Sequence, residues 1–143
     1  MFLAIAGIVI AATNEIKTIG QGMESVQIYL PLTFQERVEC RRALEEVFYN
    51  HRRAMSSTPE LTPDFSTTVT EDNLAMRVQT TLRLTEALRI FWGQEVAGED
   101  LQDEIDRMVR ETADPAVLHE LFDALNNDPR KIAECLARPL LVD

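Results

Sequence analysis

Apolar residues recur at three- and four-residue steps from Thr33 onward, the spacing that places them on one face of a helix. Thr33 and Glu36 fit a capping box, in which the threonine hydroxyl accepts from a backbone amide and the glutamate bonds back to the cap. The pattern predicts a first long helix to about Arg53. Its apolar stripe consists of Phe34, Val38, Leu44, Val47 and Phe48.

A second long helix is predicted between Thr70 and Gly93. Glu71 and Asp72 fall in its first turn, where the helix dipole favours anions, and Gly93 is placed to form a left-handed C-cap. Its predicted apolar face is formed by Leu74, Val78, Leu82, Leu88 and Phe91, widened by Leu84 and Trp92.

Three shorter helical patterns follow an acidic connector over residues 94–100. The second and third open with Asp114-Pro115 and Asp128-Pro129, and an aspartate N-cap followed by proline is a helix start signal because proline lacks only a donor that would be unpaired there. The apolar positions are Leu101, Ile105, Met108 and Val109 in the first, Leu118, Leu121, Phe122 and Leu125 in the second, and Ile132 and Leu136 in the third.

The composition agrees with helices. The chain has 143 residues, five Gly and 6% aromatic residues, and its Leu, Ala, Glu and Arg favour helix over sheet. The predicted fold is therefore all-α, a small bundle of two long and three short helices within a domain over residues 23–143. A Pro/Ser/Thr-rich stretch over residues 56–70 is predicted to be a loop, and Val26 to Leu30 would suit a short strand ended by Pro31.

The N-terminal segment, residues 1–22, contains an apolar run from Phe2 to Ala12. The run is too short to span a bilayer, which needs roughly 20 residues. Its length and small residues are typical of a signal-peptide core, but no Lys or Arg precedes it. Two interpretations stay open: a truncated export signal or anchor, and a buried strand or helix start.

The net charge of −10 lies mostly in the second half of the chain. Because nucleic-acid binding needs a concentrated basic surface, this charge argues against a nucleic-acid partner. The one basic cluster, formed by Arg41, Arg42, Arg52 and Arg53, alternates with glutamates at spacings that allow pairing on one helix, so it is expected to be a solvated helix face.

No catalytic motif is found in the sequence. His119-Glu120 lacks the second histidine of a zinc-protease helix, and no glycine-rich phosphate loop, nucleophile elbow or Cys-x-x-Cys occurs. We therefore expect a non-enzyme without metal or cofactor. Cys40 and Cys135 can be either a disulfide or two buried thiols.

The residues from Ala87 to Met108 carry a resemblance to a known family. The run Ala87-Leu88-x-x-Phe91-Trp92-Gly93-x-x-Val96-x-x-Glu99-Asp100-Leu101-x-x-x-Ile105-x-x-Met108 resembles the N-terminal helical chaperone region of SurA-like, parvulin-linked peptidyl-prolyl isomerases. The resemblance covers about residues 70–142 and implies a bundle of the SurA N-terminal and trigger-factor peptide-binding type. No isomerase domain is present in this sequence, so isomerase activity is not implied.

The resemblance implies non-catalytic binding of unfolded or extended polypeptide in the periplasm or outside the cell. The predicted peptide-binding residues are Leu88, Phe91, Trp92, Leu101, Ile105, Met108, Leu118, Leu121 and Phe122, and Leu82 is expected to line the same groove. A small domain needs most of its apolar residues for its core, so Phe91 and Trp92, at a helix end, are expected to be the most exposed.

A second function class stays open beside the chaperone. A small cytoplasmic scaffold would use the same apolar stripe for one fixed partner or for a homodimer. The sequence also stops on apolar residues, Pro139 to Val142. The short helices are therefore expected to need a partner, which could be the first long helix, a second copy or a C-terminal domain absent from this sequence.

Overall fold

The computed structural model of the protein describes residues 31–142, and every regular element among them is helical. The predicted all-α fold is confirmed. The helices are α1 (Phe34–Met55), α2 (Phe65–Thr68), α3 (Glu71–Trp92), α4 (Gly98–Glu111), α5 (Pro115–Ala124), α6 (Pro129–Lys131) and α7 (Arg138–Val142), with a 3-10 turn at Pro59–Leu61 and a π-helical segment at Ile132–Ala137.

The helix starts follow the predicted caps. Thr33 Oγ1 accepts from the Glu36 amide at 3.2 Å, and the Thr33 amide donates to Glu36 Oε2 at 2.7 Å, which completes the capping box. Asp114 Oδ1 accepts from two amides at the start of α5, and Asp128 Oδ1 does the same for α6. The two Asp-Pro start signals are therefore confirmed.

Helix α1 lies between two buried clusters and contributes to both. The first cluster also contains residues of α5 and of the C-terminal helical segment, and it consists of Leu32, Cys40, Leu44, Leu121, Leu125, Ile132 and Cys135. The second joins α1 to the first half of α3 and consists of Val38, Val69, Leu74 and Val78. Because α1 belongs to both clusters, it is the central element of the described domain.

The last pattern forms one extended helical unit, longer than a single short helix. Elements α6 and α7 are joined by the π-helical segment, whose wider turn carries the buried Ile132, Cys135 and Ala137. This segment packs against α4 and α1, while α7 packs against α3.

The predicted loop over residues 56–70 is partly helical and packs on α1. Tyr49 Oη donates to the Pro63 carbonyl at 2.8 Å, and the Tyr49 and Phe65 rings meet edge to face at 5.5 Å between centroids. Val69 is buried in the second cluster. The stretch is an ordered loop with one 3-10 turn and one four-residue helix, and Phe65 and Val69 supply apolar contacts that its prolines and hydroxyls concealed.

In α1 and α4, two residues of the predicted apolar stripes are exposed, namely Phe34 and Val109. Both lie at the margin of a helical stripe whose centre is buried. The predictions for the apolar run at Phe2 to Ala12 and for a strand at Val26 to Leu30 lie outside the described residues.

Candidate polypeptide-binding site

The C-terminal end of α3 exposes three consecutive large apolar side chains. Ile90 is 58% exposed, Phe91 75% and Trp92 67%. The two aromatic rings meet edge to face, 6.0 Å apart between centroids and inclined by 78°. We call Ile90, Phe91 and Trp92 the α3-end patch.

The position of the α3-end patch follows from how α3 packs. Its buried residues, Leu74 and Val78, lie in its first half, where it contacts α1. Leu82, Leu84 and Leu88 are only half-buried. Burial thus falls along the helix until the last turn lies in solvent.

Gly93 ends α3 with a left-handed C-cap. Its φ of 64° lies in the left-handed region, and its amide and that of Gln94 both approach the Leu88 carbonyl. A methyl group on its Cα would meet no neighbouring atom within 4 Å, so backbone conformation, rather than crowding, is what favours glycine here. The predicted left-handed cap is confirmed.

Acidic residues lie in the connector that follows the patch and at the start of α4. Glu95, Glu99 and Asp100 are exposed, and the Ala97 amide donates to Asp100 Oδ2 at 2.8 Å at the start of α4. The nearest base in sequence, Arg89, already pairs with Glu86 at 2.5 Å, which leaves the connector with an excess of negative charge.

The other predicted binding residues divide into buried and half-buried ones. Leu101, Met108 and Leu121 are buried and belong to the interior. Leu88, Ile105, Leu118 and Phe122 are half-buried, and Ile105 and Phe122 pack against the first cluster. The nine residues therefore do not form one open groove, because folding α4 and α5 uses most of their apolar faces.

Two features of the structure were not predicted from the sequence. Ile90 was left out because it lies off the helical stripe, although the unbroken apolar run Ile90-Phe91-Trp92 is itself a signal of exposure or function. An open groove of about 600 Å³ between α1, α2 and α3 was also missed, lined by Phe48, Val69, Leu74 and Met76 together with Glu45, Arg52, Thr68, Asn73 and Arg77.

The two carboxylates that are buried among the described residues, Glu45 and Glu104, both take part in ion pairs. Glu45 accepts from Arg41 at 2.7 Å and lies 3.7 Å from Arg77, and Glu104 pairs with Arg107 at 2.6 Å. The hydrogen bond from Arg107 lowers the pKa of Glu104. Such pairs compensate the cost of burying a carboxylate.

Within residues 31–142, no cluster of three or more His, Cys, Asp or Glu side chains is arranged to hold a metal ion. None of the helices in the same range combines the length and the apolar character that crossing a membrane requires.

Comparisons of the chain with protein-family models, with curated proteins and with solved structures give no match. The resemblance to the SurA-like chaperone region consequently stays a prediction from the residues that carry it.

Proposed function

We propose that this protein is a non-catalytic polypeptide-binding module that holds extended apolar segments of unfolded clients against the α3-end patch. The observation that carries the proposal is the exposure of Ile90, Phe91 and Trp92 at a helix end. Soluble domains seldom expose contiguous large apolar side chains without a binding role. Aromatic side chains also supply large contact area with few torsions to order.

The charge around the patch narrows the client class. Glu95, Glu99 and Asp100 follow it, so a client segment with Lys or Arg beside its apolar residues gains attraction, whereas acidic flanks are repelled. Clients are therefore expected to be extended segments that combine aromatic or aliphatic residues with basic ones.

The expected affinity is low. Two aromatic side chains of roughly 200 Å² each contribute about 10 kcal/mol at full burial, at ~25 cal/mol per Å². Association costs several kcal/mol or more, and an extended client adds its own ordering entropy. Dissociation constants in the micromolar to millimolar range follow, which suits a protein that releases its clients.

The test is suppression of aggregation of a chemically unfolded, unrelated protein by the full chain, with fluorescence of Trp92 followed in parallel. Because the chain contains a single Trp, any blue shift on client addition reports burial at the patch itself. Phe91→Ala keeps the reporter and is expected to weaken suppression about tenfold, a loss of one large contact on the order of 1.4 kcal/mol.

Met55→Ala is the matched control, since Met55 is 80% exposed at the end of α1. It should leave suppression unchanged. Equal suppression by Phe91→Ala and the unmodified chain would contradict the assignment of the site, and a loss caused by Met76→Ala instead would move the site to the groove between α1 and α3.

The fixed-partner alternative predicts a different result. A scaffold or homodimer would bury the α3-end patch at one stoichiometry, so sedimentation would show a single dimer in which Trp92 emission is already blue-shifted. Such a dimer without aggregation suppression would replace the chaperone proposal.

A further inference from the structure

Cys40 and Cys135 lie together in the first cluster, although they are far apart in the chain. Cys40 is on α1 and Cys135 is in the π-helical segment, and both thiols are reduced and buried, 4% and 7% exposed. Both side chains belong to one buried cluster, and α1 packs against the π-helical segment. Two buried thiols of one cluster, on elements that pack together, are candidates for a disulfide, which needs their Cα atoms within about 7 Å.

The charges around the pair favour one thiolate. The hydrogen bond from Cys135 lowers the pKa of Cys40, aided by Lys131 and Arg37 against the opposing Asp128. The same bond, together with burial, raises the pKa of Cys135. The two thiols therefore titrate as one coupled pair, in which Cys40 is favoured as the thiolate.

A small cavity reaches Cys135 from the surface. Its volume is about 30 Å³, and Cys135 lies in its wall with Arg37, Arg41, Glu134, Val78 and Pro139, among others. A cavity of this size accommodates a water-sized molecule. The Arg41 Nε–H is buried and has no hydrogen-bond partner, so a polar guest gains a donor there. Hydrogen peroxide has the size and the polarity to enter.

We propose that Cys40 and Cys135 form an oxidisable pair in which hydrogen peroxide converts the two thiols to an intramolecular disulfide. One sulfur of the pair, as its thiolate, attacks one peroxide oxygen and becomes a sulfenic acid, and the leaving hydroxide is protonated to water. The second sulfur then attacks the sulfenic sulfur, forming the disulfide and releasing a second water. Two thiols are oxidised while one peroxide is reduced to two waters.

The disulfide joins the first and last parts of the described domain. It closes a loop of roughly 95 residues between α1 and the π-helical segment. Constraining such a loop in the unfolded chain raises stability, and for a domain of this size the melting temperature is expected to rise by roughly 10 °C.

The experiment uses the reduced full chain, treated with hydrogen peroxide under native conditions and then denatured with an alkylating reagent. Peptide mapping is expected to show a Cys40–Cys135 linkage within one chain, and a thiol reductant is expected to reverse both the linkage and the rise in melting temperature. This test does not depend on a client, so it is independent of the proposed function.

A trapping experiment identifies the sulfur that meets peroxide. In Cys40→Ala and in Cys135→Ala the sulfenic acid has no second thiol to resolve it, so a 1,3-dione probe should label the remaining cysteine in the variant that keeps the sulfur that meets peroxide. Should Cys40→Ala fail to fold, the linkage in the unmodified chain still decides the matter. Full alkylation of both cysteines after peroxide, or disulfides only between chains, would overturn the proposal.

Discussion

Single side chains set several properties of this protein, and the capping threonine of α1 is the simplest to test. Thr33→Ala removes the hydroxyl that accepts from the Glu36 amide. The free energy of unfolding, measured with urea, is expected to fall by ~1 kcal/mol. Thr67→Ala, at an exposed position of α2, is the control and should change it by less than about 0.5 kcal/mol.

Glu134 makes stability depend on acid pH. Burial raises its pKa, but hydrogen bonds and charge from Arg138 and Arg37 outweigh that effect and lower it below the ordinary 4.5. A carboxyl whose pKa is lower in the folded state stabilises the fold above its unfolded pKa, and this contribution disappears as pH falls through the folded value.

The expected result is a loss of stability below about pH 4.5 that is smaller in Glu134→Gln. The measurement is thermal melting from pH 7 to pH 3. Glu60→Gln, at an exposed position in the 3-10 turn, should retain the dependence of the unmodified chain. Identical pH profiles for Glu134→Gln and the unmodified chain would refute the role of Glu134 in the acid dependence of stability.

Gly93 tests how the end of a helix positions the α3-end patch. Gly93→Ala places a methyl group on a residue with φ of 64°, which costs about 1 kcal/mol even without a clash. Client binding should weaken if the backbone changes to relieve that strain. Gly98→Ala is the matched control, because it also meets no neighbour within 4 Å and begins α4, where alanine is neutral or stabilising.

Tyr49 holds the segment between α1 and α3 in place. Tyr49→Phe keeps the ring contact with Phe65 but removes the hydrogen bond to the Pro63 carbonyl. Limited proteolysis within residues 56–70 is expected to become faster, while the global unfolding free energy falls by only ~1 kcal/mol. An unchanged cleavage rate would show that the aromatic contact alone orders the segment.

Helices and caps could be predicted from the sequence because their signals are local. The capping box at Thr33, the two Asp-Pro starts and Gly93 act within a few residues. The distribution of burial could not be predicted in the same way. Met108 and Trp92 both lie on the predicted apolar face of a helix, yet Met108 is buried and Trp92 is exposed. The packing of α4 on the π-helical segment, which the local sequence does not reveal, makes the difference.

For the whole molecule, the charge of −10 makes client binding sensitive to salt. Peptides with lysine flanks should bind less tightly as ionic strength rises from 0.01 to 1 M, because the screening length falls from about 30 Å to about 3 Å. The same apolar peptide with glutamine flanks serves as the control and should show little change. Peptide affinity is measured by Trp92 fluorescence. Equal salt dependence of the lysine-flanked and glutamine-flanked peptides would contradict an electrostatic contribution to client binding.

The gradient of burial along α3 has a consequence for local opening. Its first half is anchored by Leu74 and Val78, whereas its last turn has large side chains in solvent. Amide hydrogens near Phe91 are therefore expected to exchange with solvent through fraying, while those near Leu74 exchange only on global unfolding. The end of this helix can then unwind to accommodate a guest while the two clusters around α1 stay intact.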